Sequence, residues 1–242
     1  VDIGFDTDPD RFSEYPFGIK IGHGGLQTAC DEAEFKISSS NTTDVMFATG
    51  TVNPVTVSKD AWEKCYRNIR RVNVFLKYVD GSPMIERAKT TYKAEARFLR
   101  AWYYFILLRH YGGVPLITDL PQTSSEAQVE RASEETVKKF IYGELDAAIS
   151  DLKDKPSQRG RIAKGTALAI KMRAALYWGD LDLAMSAARS IQNLNQYELD
   201  PNFQEMFSIK GQGSKEIIYA MQHVSNTYAF SNMIRMFNNQ DG

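Results

Sequence analysis

The sequence lacks an excess of charge of either sign. It has 29 lysine and arginine residues against 30 aspartate and glutamate residues, a formal net charge of −1 over 242 residues. Because there is no excess of positive charge, nucleic acids and anionic lipid surfaces are disfavoured as partners. The length allows one large domain or two small ones, and the hydrophobic content of 43% is ordinary for a globular protein.

Cysteine and histidine are also scarce. The two cysteines, Cys30 and Cys65, are far apart and lack C-x-x-C spacing. One disulfide between them is an alternative, but buried free thiols are the favoured interpretation. The three histidines are isolated, and none has the H-x-x-x-H spacing of a metal site carried by a helix. We therefore predict neither a metal nor a cofactor.

Recognisable catalytic motifs are missing. The sequence has no G-x-S-x-G nucleophile elbow, no phosphate-binding Walker loop and no recognisable context for a nucleophilic cysteine. A glycosidase needs only two carboxylates on opposite sides of a bond, and such a pair can be far apart in sequence. We predict a binding or scaffold protein that is not an enzyme and has no catalytic residues.

Long hydrophobic runs are absent, and the most apolar stretch, Phe98–Leu108, is interrupted only by Arg100. It is shorter than the roughly 18 to 20 residues that span a bilayer. Its helical spacing and its apolar character on nearly every side predict a central helix surrounded by other helices. Pro83 suits the first turn of this helix, and Gly112–Gly113 followed by Pro115 is typical of a helix end.

Apolar residues at helical spacing predict four more helices, over about 58–79, 133–154, 163–178 and 181–194. Ser58 and Ser133 are suitable N-caps for the first two of these. Only Asp80–Pro83 separates the first helix from the central one, which predicts an antiparallel hairpin. Gly179–Asp180 joins the last two in a tight pair that resembles a tetratricopeptide unit, although the repeat consensus is only loosely met.

The two ends of the chain lack this periodicity. Residues 1–57 are predicted to be irregular, 58–194 helical and 195–242 a mixed tail, in which Glu216–Met221 is the best strand candidate. We predict a single domain over 1–242 that is mainly α. Its expected architecture is tetratricopeptide-like helical hairpins forming an α-helical shell, with irregular loops and a few short strands.

The central helix carries a family signature. Lys93–Phe105 (KAEARFLRAWYYF) and Tyr111–Leu116 (YGGVPL) resemble the most recognisable motif of the SusD/RagB family. These are surface lipoproteins of Gram-negative bacteria that bind glycans and cover a TonB-dependent porin. Weaker elements follow the family order at Asp31–Ala33, at Trp62–Asn73, at Gly160–Arg161 and at Phe207–Ile218. Family members are commonly much longer than this chain.

The resemblance implies a function. It implies non-catalytic binding of an oligosaccharide or polysaccharide at the outer membrane and delivery of that glycan to a TonB-dependent porin. It also implies a lipid anchor outside this chain. Sugar sites in the family combine aromatic faces with polar groups. Asp31 and Glu32 match the family's Asp–Glu–Ala element, whereas Phe47 and Asn53 are predicted from residue type and position.

Trp102, Tyr103 and Tyr104 also offer aromatic faces, but their helix is apolar all round, so they are interpreted as core. Two other functions stay open. One is a tetratricopeptide-like scaffold that binds a protein or peptide partner in a concave groove, and the other is an all-α carbohydrate-active enzyme. The sequence leaves open which glycan is bound, whether this chain binds it by itself, and the oligomeric state.

Overall fold

The computed structural model describes residues 50, 53, 60–121, 123, 126, 128–156, 158–206 and 208–220. These residues form five longer helices, which are α1 (Asp60–Tyr78), α2 (Glu86–Tyr111), α3 (Glu134–Asp151), α4 (Lys164–Trp178) and α5 (Leu181–Asn193). A single turn, α6 (Phe203–Met206), and two 3-10 turns, Val79–Gly81 and Ile209–Gly213, complete the elements. The prediction of a mainly α fold is confirmed.

Contacts divide the chain into two units, of which one, Asn68–Gln222, contains most of the described helices. The other unit includes the first part of α1 among its described residues. There, the Trp62 and Tyr66 rings lie 5.0 Å apart on successive helical turns. Cys65 is a buried free thiol, as predicted, and its burial raises its pKa to about 12. Cys30 lies outside the described residues, and the single-domain assignment stays a prediction.

The central helix, α2, is buried on nearly every side from Ala94 to Leu108. It packs against α3 and α4. The facing stripe of α3 is fully buried and consists of Val137, Ile141, Leu145 and Ala148. Burying one such large apolar side chain stabilises the fold by roughly 1.5–3 kcal/mol. The predicted burial of this helix is therefore confirmed.

The end of α2 depends on two glycines. Gly112 has a φ of +67° and its N–H donates to the Leu108 carbonyl at 3.0 Å. A Cβ on Gly113 would lie 2.2 Å from the Ala132 carbonyl oxygen, so only glycine allows this close approach of two backbone segments. Immediately afterwards, Ser133 caps α3 by accepting the Thr136 N–H at 3.2 Å, as predicted.

The start of α2 differs from the prediction. The helix begins at Glu86 after an extended Ile85, so Pro83 lies in the connector and not in the first turn. The connector has hydrogen bonds of its own, because the Ser82 N–H and hydroxyl both donate to the Val79 carbonyl, at 3.1 and 2.7 Å. This 3-10 turn supplies local hydrogen bonds to a backbone carbonyl just after α1, and α2 begins only at Glu86.

The hairpin of α4 and α5 is confirmed. Gly179 adopts the left-handed conformation with a φ of +78°, and the Asp180 N–H donates to the Ala175 carbonyl at 2.9 Å. The two helices contact each other, and both bury small residues, which are Ala174, Ala175, Ala184 and Ala187. Small side chains let packed helix backbones approach closely.

The strand predicted at Glu216–Met221 is wrong over its described residues, 216–220, which form a turn and irregular structure. The Glu216 carboxylate accepts the Asp200 N–H at 2.8 Å, and the Ile217 N–H donates locally to the Ser214 carbonyl at 3.4 Å. These local bonds override the β propensity of the two isoleucines. No strand occurs anywhere in the described part of the chain.

Candidate functional site

The four predicted glycan contacts are described only in part. Asn53 is exposed. Asp31, Glu32 and Phe47 lie outside the described residues, so their convergence on a common site stays a prediction. The described helices position further polar and aromatic groups.

The aromatic residues of the central helix belong to the core. Trp102, Tyr103 and Tyr104 are all buried, which confirms that they are no exposed platform for sugar rings. The hydroxyl of Tyr104 accepts the Ile117 N–H at 2.7 Å and lies 3.2 Å from the Ile117 carbonyl. Burial raises the pKa of Tyr104 to about 12, so this phenol stays protonated at neutral pH.

A buried polar cluster surrounds Arg100 in the middle of α2. The Arg100 Nε and Nη2 atoms lie 2.8 and 2.7 Å from Glu144 Oε2 on α3. Arg100 Nη1 donates to Asn73 Oδ1 on α1 at 2.8 Å, and the Asn73 amide donates to the Ile117 carbonyl at 2.8 Å. We call Arg100, Glu144, Asn73 and Tyr104 the Arg100 network.

The Arg100 network joins three helices to the segment that follows Gly112–Gly113. Arg100 Nη1 also lies 3.3 Å from the Thr118 carbonyl, and the Asn73 amide lies 3.4 Å from the Asp119 carbonyl. Successive backbone carbonyls are thus bound by buried donors, which fixes this surface segment on a rigid base. The helix that carries the family signature therefore serves as part of a buried structural scaffold.

Sequence reasoning missed this network, although two signals for it exist. Arg100 is the only charged residue in an apolar run, and Glu144 falls within the buried stripe of α3. A buried charge requires a partner of the opposite sign, so these two residues were natural candidates for a pair.

A second ion pair connects α2 to the segment before α4. Glu95 accepts a hydrogen bond from Arg161 Nε at 3.1 Å and a second one from Arg161 Nη2. The Arg161 guanidinium lies over the Tyr92 ring, 5.1 Å from its centroid. Burial raises the pKa of Glu95 above its usual range, although Arg161 and Lys153 partly oppose this. The Gly160–Arg161 element therefore positions the start of α4.

A recess of about 730 Å³ lies between α3 and the start of α5. Its lining consists of Glu135, Lys138, Lys139, Tyr142, Gly179, Asp180, Leu181, Asp182 and Leu183. We call it the α3–α5 recess. Sequence reasoning missed it because it forms only when the hairpin turn packs beside α3. The one local signal was the placement of Lys138 and Tyr142 one turn apart on α3.

Asp180 organises the polar side of this recess. Its Oδ2 accepts the Tyr142 hydroxyl at 2.6 Å and lies 2.8 Å from Lys138 Nζ. Hydrogen bonds from Lys138 and Tyr142 lower the pKa of Asp180, whereas burial and the nearby Asp180 charge raise the pKa of Tyr142. Lys138 Nζ also lies 6.0 Å from the ring centroids of Tyr142 and Trp178. The three side chains hold one another in a fixed arrangement.

The described ranges contain neither a metal-binding cluster nor a membrane-spanning helix. No group of three or more histidine, cysteine, aspartate or glutamate residues there could hold a metal ion. His110, in the last turn of α2, places its Nδ1 2.8 Å from the Ile106 carbonyl, so its ring is bonded within its own helix. None of the described helices has the length and apolar content needed to cross a bilayer.

Comparison with known proteins places this geometry in a family. A SusD-like family model, described as starch-binding associating with outer membrane, matches residues 22–176. A SusD-like protein of Bacteroides ovatus is 31% identical over 179 residues, which cover 68% of this chain and 32% of that protein. SusD-like protein P25 of Formosa agariphila is 25% identical over 214 residues, 83% of this chain and 40% of that protein.

Two solved structures share the fold at comparable identity. A laminarin binding SusD-like protein superposes with a TM-score of 0.67 at 30% identity, covering 73% of this chain and 40% of its own. A SusD-like carbohydrate binding protein from Bacteroides fragilis gives a TM-score of 0.65 at 32% identity, covering 70% of this chain and 34% of its own. This chain thus spans less than half the length of these relatives.

The family match includes the signature at 93–116 and extends through α1, α2, α3 and nearly all of α4. Two observations therefore agree, since the family model covers the helix that carries the motif, and 70–73% of the chain superposes on solved SusD-like structures. The chain belongs to the SusD-like family.

Proposed function

We propose that this chain binds an oligosaccharide or polysaccharide, without cleaving it, at the surface of a Gram-negative outer membrane. The observation that carries the proposal is the likeness to a laminarin binding SusD-like protein at 30% identity and a TM-score of 0.67. The starch-binding description of the matching family model supports the same ligand class.

The proposed glycan contacts are Asp31, Glu32, Phe47 and Asn53. A phenyl ring can stack on the C–H face of a pyranose, the carboxylates accept hydrogen bonds from sugar hydroxyls, and the amide both donates and accepts. The exposure of Asn53 is consistent with this role.

A binding role without hydrolysis is consistent with the buried carboxylates of the scaffold. A glycosidase needs two carboxyl groups that face each other across the scissile bond. Glu95 and Glu144 are instead bound to Arg161 and Arg100, and both are buried. These two carboxylates therefore serve the fold, and they are not positioned as an acid and base pair.

The proposed partner is a TonB-dependent porin, with a lipid anchor outside this chain holding the protein at the membrane. This part of the proposal follows from membership of the SusD-like family. Co-purification of the tagged chain with a TonB-dependent porin, from outer membranes, is the expected result. Recovery of the chain without any porin would contradict the delivery role.

Glycan binding is tested with the purified chain against a panel that includes starch, laminarin and their oligosaccharides. We expect saturable binding to at least one member. Phe47→Ala should weaken that binding about tenfold, since loss of one stacking contact of about 1.4 kcal/mol corresponds to this factor. Phe203→Ala is the matched control, because Phe203 is an exposed phenylalanine of the tail.

A polar variant extends the same test. Asn53→Ala should reduce the affinity for the glycan severalfold, whereas Asn193→Ala, at an exposed asparagine of α5, should leave it unchanged.

No binding across the whole glycan panel by a folded chain would overturn the proposal. Co-purification with a protein partner, together with no binding to any sugar of the panel, would favour the scaffold function. Release of new reducing ends from a polysaccharide would show that the chain cleaves glycosidic bonds and is an enzyme.

A further inference from the structure

We infer that the α3–α5 recess is a second saccharide site, which takes one neutral hexose unit of a glycan chain. None of its residues belongs to the four glycan contacts proposed above. The inference rests on the proposed function in one respect, because a neutral glycan is taken as the ligand class that the chain meets.

The recess has room for a sugar unit. Its volume of about 730 Å³ lies within the range of roughly 300–1,000 Å³ that is typical of small-molecule sites. Gly179 is part of its lining, and a Cβ built there meets no atom within 4 Å, so no neighbouring atom fills the space beside this turn. The positive φ of Gly179 favours glycine at this position, so the open space is a fixed property of the hairpin turn.

Its polar groups are held in place before any ligand arrives. Lys138 and Tyr142 both bind Asp180 through the same oxygen, Oδ2. Within the described residues, Asp180 Oδ1 accepts no hydrogen bond, so this oxygen can accept one from a sugar hydroxyl. A fixed acceptor favours binding because little side-chain freedom is lost when the ligand arrives.

The charges of the lining favour a neutral ligand over an anionic one. Three carboxylates, from Glu135, Asp180 and Asp182, face the recess together with the ammonium groups of Lys138 and Lys139. A sulfate or phosphate group would meet the carboxylates at close range, which is unfavourable. Sugar hydroxyls both donate and accept, so they suit a lining that mixes acceptors and donors.

The recess also has apolar surface for the C–H face of a sugar ring. Leu181 is 66% exposed at its rim, and Leu183 lines it as well. Small-molecule sites commonly combine apolar walls with a few fixed polar groups. Leucines at the rim and the Asp180 cluster on the polar side provide this combination.

The test is an NMR titration of the full ¹⁵N-labelled chain with maltohexaose and, separately, laminarihexaose. We expect saturable shifts of the backbone amides of 179–183 with at least one of the two sugars. Asp182→Lys, which places a long cation at the rim, should weaken this response at least tenfold. Asp182→Asn, which leaves the size unchanged, should weaken it less. Asp151→Lys, the same charge change at an exposed aspartate of α3, should leave it unchanged.

Two outcomes would overturn the inference. One is that the 179–183 amides do not move, or move without saturation, with either sugar. The other is that Asp182→Lys and Asp182→Asn both respond like the unmodified chain. If glycan binding is present and sensitive to Phe47→Ala while these amides stay unmoved, the inference fails and the proposed function stands. If neither binding nor shifts occur, both fail.

Discussion

Two arginine–carboxylate pairs each include one residue of α2, but the two pairs differ in their exposure to water. In the Arg100–Glu144 pair both side chains are 9% exposed. In the Arg161–Glu95 pair the carboxylate is 7% exposed and the arginine 38%. Removal of one partner leaves an uncompensated buried charge in the first pair, whereas Arg161 can turn to solvent in the second. Access to water, rather than the interatomic distance, decides what each pair contributes.

The largest effect is expected from Glu144→Gln, which leaves Arg100 buried without a counter-charge. Loss of one partner of a buried pair costs about 3–5 kcal/mol in the free energy of unfolding. Urea denaturation of the purified chain measures it. The double variant Arg100→Met with Glu144→Leu should recover part of the loss, since neither charge of the pair then stays buried, whereas Asn73 Oδ1 loses its donor. A loss below about 1 kcal/mol in the single variant would show that water reaches Arg100.

A much smaller effect is expected from Glu95→Gln. The amide oxygen can still accept a hydrogen bond from Arg161, and the guanidinium is exposed enough to be hydrated. We expect the free energy of unfolding to stay within about 1 kcal/mol of the unmodified chain. The same urea measurement checks this. A loss as large as that of Glu144→Gln would remove the distinction between the two pairs.

The pH dependence sharpens the comparison. Burial raises the folded-state pKa of Glu95 above its unfolded value, so the folded chain binds this proton more tightly. The stability from this group is fully present below the unfolded pKa and is lost as pH rises through the folded pKa. Stability relative to Glu95→Gln should therefore fall as the pH rises from the unfolded pKa of about 4.3 through the raised folded-state pKa. A rise over the same interval would mean that Arg161 outweighs burial.

The smallest effect is expected at an exposed pair. Lys210 Nζ and Glu205 Oε1 lie 3.0 Å apart in the tail, with both side chains largely exposed. Lys210→Ala should change the free energy of unfolding by no more than about 0.5 kcal/mol, because water screens the pair. Urea denaturation in low and high salt provides the check. A loss above about 1 kcal/mol would mean that solvent exposure does not determine how much each pair contributes to the free energy of unfolding.

The helices could be predicted because their signals are local. The apolar run of α2, the Ser133 cap and the Gly179 turn each depend on neighbouring residues only. The strand predicted at Glu216–Met221 is wrong over residues 216–220 because the isoleucines favour strands, whereas hydrogen bonds accepted by the Ser214 carbonyl and the Glu216 carboxylate decide the conformation.

The sites were harder to predict because they assemble residues that are distant in sequence. Arg100 and Glu144 are 44 positions apart, and the bond between Tyr142 and Asp180 spans 38. No periodic pattern indicates such pairs. The glycan contacts at Asp31, Glu32, Phe47 and Asn53 stay predictions, since the first three lie outside the described residues.

We propose that the chain binds its glycan through side chains outside the buried signature helix α2. Calorimetric titration of the best glycan from the panel into the unmodified chain and into Tyr104→Phe tests it most directly. Tyr104 is fully buried, so the account predicts saturable heat for both chains and dissociation constants that agree within about twofold. Absence of heat from the folded unmodified chain, or a loss of tenfold or more in folded Tyr104→Phe, would contradict it.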